Sequence, residues 1–351
     1  MCIRDRIYAI IRGAVACLSS PGVIPTPVQA ETVLRSARKS ANRMAIRILR
    51  WLAVLLAALL LLGAVQAARL WQAAQHPPQH LERKGQLVEV ELLSSYRLHD
   101  SEVREFRLFS DSGLITDIAV RHPDHGHAHR PLLLVMGGQE TGRAAVDVIP
   151  DSHGATVAAI SYPFGVVPHR SLAQVFLALP RIQQGIFDTP AAALLAMDYL
   201  LSPGAGINPG RVELAGISFG AYLASVPAVL DPRIERLWLI HGGGAPADVI
   251  DHGLEKRISI APLRRAISDY LAAVAGAVHL GPEVWAGRIS PRPTVLVHAL
   301  RESSLPPSAI RALERAVNPP MEILYTPGKH VHPERPEVVK AISELMLRRM
   351  R

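Results

Sequence analysis

Short, uninterrupted apolar runs recur between helix-length stretches over the C-terminal two thirds of the chain. A parallel strand between two helix layers is buried on both faces, so it reads as a continuous apolar run and not as an alternating one. The pattern predicts an α/β protein with a mostly parallel sheet flanked by helices. The predicted buried strands are Leu132–Met136, Thr156–Ser161, Val212–Ala215, Leu237–Ile240, Thr294–Val297 and Glu322–Tyr325.

Polar and apolar residues alternate in two earlier segments, Glu102–Leu108 and Leu114–His122, with turn-forming residues between them. Such alternation is typical of strands with one solvated face, so we expect an antiparallel hairpin. Two segments between the later strands, Phe164–Thr189 and Gly244–Arg292, are longer than a crossover needs. We expect extra helices there, which either form a lid over a pocket or enlarge the core.

An apolar run of 18 residues without a charge extends from Trp51 to Ala68. This length just suffices for a helix to cross the hydrocarbon core of a bilayer. Basic residues precede the run and favour a cytoplasmic N-terminus, which predicts a single-pass membrane protein with its body outside the cytoplasm, periplasmic if bacterial. The small residues Val65 and Ala67 leave a second interpretation open, a cleaved signal peptide and a secreted body.

These features divide the chain into four predicted segments. Residues 1–43 are a non-native or cytoplasmic extension, because their opening resembles a translated adapter sequence and Met44 stands as a natural start before the apolar run. Residues 44–71 form the transmembrane anchor or signal peptide. The polar residues 72–87 form a linker, and residues 88–351 form the large folded domain.

The charge distribution argues against a nucleic-acid partner. Of 38 basic and 30 acidic residues, the first 50 residues hold nine and two. The remaining 29 basic and 28 acidic residues leave a net charge of +1, too little for a surface that binds polyphosphate. Both cysteines, Cys2 and Cys17, lie in the N-terminal extension, so the body has no thiol nucleophile, disulfide or cysteine metal ligand.

The most informative motif is Gly216-Ile217-Ser218-Phe219-Gly220, which stands between a predicted strand and an Ala-rich helix. A serine on such a sharp turn exposes its hydroxyl, and glycines on both sides leave room where side chains would collide. We interpret Ser218 as a nucleophile.

A serine hydroxyl needs a histidine as general base, and that histidine needs a carboxylate to orient it. Glu302 follows a predicted strand and precedes a helix-opening proline, so it is the predicted acid, with Asp248 as a reserve. His330 lies in the loop between the last predicted strand and the final helix, so it is the predicted base, with His332 as a reserve.

The oxyanion of a tetrahedral intermediate requires two backbone N–H donors. The amide of Phe219, at the start of a predicted helix, is the first. The second comes from the glycine-rich loop after Leu132–Met136, where Gly138 and Gln139 are equally good candidates.

These residues, in this order, resemble the α/β-hydrolase family over residues 103–351. The resemblance implies an eight-stranded, mostly parallel sheet and a serine mechanism through an acyl-enzyme, without a metal or cofactor. It implies carboxylic esters as the usual substrates, with thioesters or peptides as less common ones. Two positions depart from the commoner pattern, because Met136 stands where many members have histidine and Glu302 replaces aspartate.

Three functional hypotheses follow. The first is a membrane-anchored serine esterase that acts on small or medium acyl substrates. The second is a serine peptidase of prolyl-oligopeptidase type, and the third is an inactive α/β-hydrolase scaffold that binds a partner. A metal site in the histidine-rich segment His122–His129 is not favoured, because the segment precedes the parallel strands and has no cysteine.

Overall fold

The computed structural model describes residues 27–124, 129–138, 141–165 and 172–350. It comprises two compact units, Met1–Ala67 and Ala68–Arg351. The described residues of the first unit belong to helix α1 (Pro27–Gln75), whose last residues belong to the second unit. Its stretch Arg38–Gln75 is long and apolar enough to cross a membrane, and a signal sequence has the same properties.

The described part of the second unit contains one sheet of nine strands. In order along the sheet they run β1-β2-β3-β5-β4-β6-β7-β8-β9. The strands are β1 (Leu87–Leu98), β2 (Ser101–Ser110), β3 (Ile115–Pro123), β4 (Leu132–Met136), β5 (Thr156–Ile160), β6 (Val212–Ile217), β7 (Arg236–Ile240), β8 (Thr294–Ala299) and β9 (Met321–Thr326).

All neighbouring pairs from β5 through β4 to β9 are parallel, and β1, β2, β3 and β5 pair antiparallel in succession. The predicted α/β class, the parallel sheet and the hairpin are therefore confirmed. The sheet has nine described strands and not the implied eight. β1 escaped prediction because it is an edge strand in which seven of the twelve residues are exposed and none is buried, so its sequence lacks a buried pattern.

Helices cover both faces of the sheet. The described helices of the second unit are α2 (His80–Lys84), α3 (Ala145–Val148), α4 (Leu172–Leu200), α5 (Phe219–Leu223), α6 (Ser225–Leu230), α7 (Pro246–Leu254), α8 (Ala261–Val274), α9 (Ala277–Leu280), α10 (Pro282–Trp285), α11 (Pro307–Ala316) and α12 (Pro336–Leu347), with short 3-10 helices at Gly142–Ala144, Pro203–Ala205 and Ala286–Ile289.

The core has two halves because successive side chains of a strand point to opposite faces of the sheet. In β4, Leu134 and Met136 pack in the half that contains residues of α4, α5 and α6. Leu133 and Val135 pack in the other half, with residues of α3 and α12. Every residue of β4 is therefore buried, which explains its unbroken apolar sequence.

Part of the segment predicted as a linker, residues 72–87, packs against the body. Helix α1 continues to Gln75, and Ala74 is buried. In α2, Arg83 forms a bidentate ion pair with the buried Asp188 of α4, at 2.8 and 3.0 Å. Polar composition alone does not distinguish such a docked segment from a solvated one.

The two long segments contain the helices that their length predicted. Helix α4 begins at Leu172 and runs through the rest of the first segment, where Ile186 and Phe187 are buried in the core. Helices α7 to α10 occupy the second segment. In these described parts, the segments enlarge the core around the sheet.

Candidate active site

The motif predicted to carry the nucleophile forms the turn between β6 and α5. Ser218 has φ +54° and ψ −113°, a conformation that residues with a side chain rarely adopt. A Cβ on Gly216 would lie 2.6 Å from the Cβ of Ala224, and a Cβ on Gly220 would overlap the carbonyl of Met136. The strained serine is therefore possible only because both flanking positions are glycine.

The structure brings Ser218, His330 and Glu302 into one hydrogen-bonded chain. The distance from Ser218 Oγ to His330 Nε2 is 2.9 Å, and that from His330 Nδ1 to Glu302 Oε2 is also 2.9 Å. Neutral His330 donates its Nδ1–H to Glu302 and accepts the Ser218 hydroxyl at Nε2. The side chains of His330 and Glu302 are only 11% and 8% exposed, so bulk water competes little with these bonds.

Glu302 is held as a carboxylate. Its Oε1 accepts the backbone N–H groups of Ser303, Ser304 and Leu305 at 2.9, 2.7 and 3.2 Å. Burial opposes its ionisation, but the hydrogen bond from His330 and those from the amides of Ser304 and Leu305 outweigh burial and lower the pKa of Glu302 to about 2. Glu302 therefore presents a negative charge to His330 at neutral pH.

Both described candidates for the oxyanion donors line the same cavity as Ser218. Phe219 is the first residue of α5, where backbone N–H groups have no acceptor within the helix. Gly138 follows β4, and its carbonyl accepts the backbone N–H and the hydroxyl of Thr141 at 3.1 and 3.0 Å. Gln139 lies outside the described residues.

An aromatic cluster beside the turn was not predicted. The ring of Phe219 packs edge-on against Tyr162 and Phe164, with centroids 5.2 and 6.2 Å away. The Tyr162 hydroxyl donates to the carbonyl of Gly137, and burial raises its pKa, so it remains a donor. The cluster thereby joins the Ser218 turn to the glycine loop. The sequence contained a sign of this cluster, because two aromatic residues follow β5. The carboxyl ends of the parallel strands are where α/β proteins bind their ligands.

A cavity of about 310 Å³ opens beside Ser218 and His330. This volume is at the lower end of the range for small-molecule pockets, roughly 300–1,000 Å³. No described residue of the two long segments lines it, so they do not act as its lid in the described part of the chain. Most lining side chains are apolar and come from α3, α12 and the adjoining strand ends, among them Val148, Ile149, Ile217, Ile342 and Met346.

The reserve candidates have other partners. Asp248, on α7, accepts a hydrogen bond from Arg265 at 2.7 Å. The Nδ1 of His332 accepts the backbone N–H of Glu334 at 3.3 Å, although His332 also lines the cavity. In the histidine-rich segment, residues 125–128 lie outside the described residues.

A second buried histidine, His241, stands at the end of β7, with its ring centroid 5.5 Å from that of His330. Three glycines follow it in the sequence. His241, Glu302 and His330 are spaced closely enough to hold a metal ion. Both nitrogens of His241 are hydrogen-bonded within the protein, to Val331 and Thr326, so we assign no metal to this group.

No protein-family model and no curated protein sequence matches this chain. Its structure is similar to a cold-adapted esterase from an Arctic intertidal metagenomic library, with 16% identity over 75% of this chain and 100% of that chain, and a TM-score of 0.52. Acetyl xylan esterase 1 from Thermoanaerobacterium sp. matches with 18% identity over 81% and 92% of the two chains, and a TM-score of 0.53. An acetyl xylan esterase from Paenibacillus sp. matches with 18% identity over 78% and 92%, and a TM-score of 0.51. Together with the parallel sheet and the serine on its strand-to-helix turn, these similarities show that the chain has the α/β-hydrolase fold.

Proposed function

We propose that this protein is a serine hydrolase of carboxylic esters. The observation that carries the proposal is the hydrogen-bonded chain Ser218–His330–Glu302 at the mouth of an apolar cavity. Ser218 is the nucleophile, His330 the general base and acid, and Glu302 the carboxylate that orients His330. The proteins of similar structure are described as esterases and acetyl xylan esterases, which agrees with this chemistry.

The reaction proceeds in two halves. His330 Nε2 takes the hydroxyl proton as Ser218 Oγ attacks the ester carbonyl, and Glu302 stabilises the imidazolium that forms. The N–H groups of Phe219 and of Gly138 or Gln139 donate to the oxyanion. His330 then protonates the departing alkoxide, which leaves an acyl-enzyme on Ser218. Water, deprotonated by His330, attacks this ester, and the acid is released as Ser218 regains its proton.

The cavity favours an acyl group over a sugar as the part of the substrate that it binds. Its walls are mostly aliphatic, and burial of each methylene in such a site stabilises the complex by about 0.8 kcal/mol. A sugar would bury hydroxyl groups against these walls without hydrogen-bond partners, and each such group makes the binding free energy less favourable. We therefore propose small or medium acyl esters as substrates.

We further propose that α1 anchors the protein in a membrane with the folded domain outside the cytoplasm. Residues 38–62 of α1 are all exposed, with Leu49, Leu60 and Leu61 at 70%, 65% and 67%, and a bilayer would cover the apolar side chains among them. Basic residues lie on its N-terminal side, which supports a cytoplasmic N-terminus.

Labelling with a fluorophosphonate probe tests the nucleophile, because the probe reacts only with an activated serine. We expect the full-length protein in detergent to be labelled and to hydrolyse p-nitrophenyl esters, and Ser218→Ala to lose both properties while remaining folded. Ser225→Ala is the matched control, since Ser225 is a buried serine on the next helix and outside the site. Equal labelling of Ser218→Ala and the parent protein would refute the assignment.

A substrate panel separates the three hypotheses. We expect p-nitrophenyl esters to be cleaved much faster than aminoacyl-arylamides. Faster cleavage of the arylamides would instead favour a peptidase. No labelling and no hydrolysis by the folded parent protein would favour the inactive scaffold.

A further inference from the structure

One buried histidine holds both ends of the loop that carries His330. The Nδ1 of His241 accepts the backbone N–H of Val331, the residue after His330, at 2.8 Å. Its Nε2 lies 2.8 Å from the Oγ1 of Thr326, the last residue of β9. A single imidazole ring therefore bridges the start and the end of the segment Thr326–Val331.

The partners of His241 determine its protonation state. Because the N–H of Val331 is a donor, Nδ1 must be unprotonated, so the proton is on Nε2 and is donated to Thr326. The Thr326 hydroxyl can in turn donate to the carbonyl of His298, at 3.5 Å. When the ring is neutral, both of its nitrogens and the Thr326 hydroxyl have hydrogen-bond partners. When the ring is protonated, its Nδ1–H and the backbone N–H of Val331 are two donors that face each other, and their hydrogen bond is lost.

The backbone around His241, at the end of β7, is hydrogen-bonded to the end of β8 and to the serine turn. The backbone N–H of His241 donates to the carbonyl of Val297 at 2.8 Å, and its side chain is 1% exposed. The backbone N–H of Ser218 donates to the carbonyl of Ile240, the residue before His241, at 2.9 Å. Residues at the end of β7 therefore hydrogen-bond both to the serine turn and to the loop that carries His330.

We propose that His241 is a positioning residue, which sets the distance between Ser218 Oγ and His330 Nε2 by clamping the His330 loop to the end of β7. The inference rests on the proposed hydrolase function. In this proposal His241 does not contact the substrate. Replacement of His241 therefore lowers the turnover number and leaves substrate binding nearly intact. A misplacement of a catalytic group by 1 Å lowers a rate by about 100-fold.

Three variants of the full-length protein in detergent test the clamp. His241→Leu removes both side-chain bonds, whereas His241→Asn keeps an oxygen acceptor near the position of Nδ1. His298→Leu is the matched control, because His298 is equally buried at the end of the neighbouring strand β8 and its side chain faces Glu314. His298→Leu measures how far the loss of a buried histidine lowers kcat when the hydrogen bonds of His241 to Val331 and Thr326 remain.

We expect His241→Leu to lower kcat about 100-fold, the effect of a misplaced catalytic group, with KM changed less than about twofold. We expect His241→Asn to recover most of the lost kcat and His298→Leu to retain the parent value. Hydrogen exchange over residues 326–335 should accelerate in His241→Leu alone. Equal kcat in His241→Leu and His298→Leu would overturn the proposal, as would a loss confined to KM.

Failure of the clamp and failure of the proposed function give different results. If the parent protein neither hydrolyses esters nor reacts with fluorophosphonate, the hydrolase proposal fails. Hydrogen exchange then still tests the clamp, because it needs no substrate. Unchanged exchange over residues 326–335 in His241→Leu would show that His241 does not hold the loop.

Discussion

At the scale of single residues, Gly220 sets how closely the serine turn approaches the glycine loop after β4. A Cβ at this position would overlap the carbonyl of Met136 and lie 2.9 Å from the carbonyl of Gly137. Both of these atoms belong to the backbone, so they cannot move aside as a side chain would. Any side chain at residue 220 must push α5 away from the loop, which separates Phe219 from Gly138, the proposed oxyanion donors.

We expect Gly220→Ala to lower kcat about 100-fold, because the oxyanion donors move apart. The overlap should also lower the free energy of unfolding by about 1–3 kcal/mol, measured by urea denaturation. Gly253→Ala in α7 is the control, since nothing lies within 4 Å of the added Cβ. Alanine there should leave activity unchanged and raise helix stability by up to about 1 kcal/mol. Similar behaviour of the two variants would contradict the packing argument.

At the scale of elements, the loops at the carboxyl ends of β4, β6, β8 and β9 carry the proposed catalytic groups, and the end of β7 carries His241. Parallel strands end at the same edge of a sheet, so loops that are distant in the chain converge there. Burial lowers the pKa of His241 to about 4, and a positive charge on His330, when it is protonated, acts in the same direction. The carboxylate of Glu302 raises this pKa, and a positive charge on His298 would lower it.

This shift predicts how the stability of the folded protein depends on pH. Between the ordinary pKa of 6.5 and about 4, the unfolded chain takes up a proton at His241 and the folded protein does not. Folding therefore loses stability as the pH falls through this window, by about 3 kcal/mol in total for a shift of this size.

Thermal or urea unfolding of the parent protein and of His241→Asn from pH 7 to pH 4 measures this loss. We expect the stability difference between the two proteins to be largest near pH 7 and to shrink towards pH 4, because the variant has no group that titrates there. A difference that does not change with pH would show that residue 241 does not titrate in this way.

At the scale of the whole molecule, the chain joins a long apolar helix to a folded α/β domain. The run Trp51–Ala68 corresponds to about 27 Å of helix at the usual rise per residue. Trp51 is the first residue of this run and Trp71 lies three residues after its end, and tryptophan is enriched at the two membrane interfaces. Nearly all of the excess positive charge lies on the N-terminal side, which leaves the folded domain almost neutral.

Labelling with a membrane-impermeant maleimide tests the proposed orientation, because the described residues contain no cysteine. In a background with Cys2 and Cys17 replaced by serine, Ser259→Cys reports on an exposed loop and Arg47→Cys on the basic end of α1. We expect label at residue 259 in intact spheroplasts and at residue 47 only after permeabilisation. The reverse pattern would contradict the orientation. A shortened, soluble product without residue 47 would show a cleaved signal peptide.

The six strands β4 to β9 were predicted to within two residues at each end. The first five are buried on both faces, so their sequences are almost continuously apolar, whereas β9 is an edge strand with three exposed residues and is not buried as expected. The serine turn was predicted because its steric requirement acts within five residues, Gly216 to Gly220. Glu302 and His330 were predicted from strand order, since each follows a strand whose carboxyl end meets the same edge. Their hydrogen bonds could not be read from the sequence.

Local sequence by itself determined eight of the nine described strands, the serine turn and the apolar helix, because backbone sterics and side-chain hydropathy act over short stretches of chain. Only the tertiary structure decided that His241 holds Val331, 90 residues away, and that Arg83 of α2 docks on Asp188, 105 residues away. It likewise decided which apolar side chains line the cavity beside Ser218. These features depend on which side chains are buried against each other and which donors and acceptors form hydrogen bonds. Groups that are distant in the chain meet only once the chain has folded.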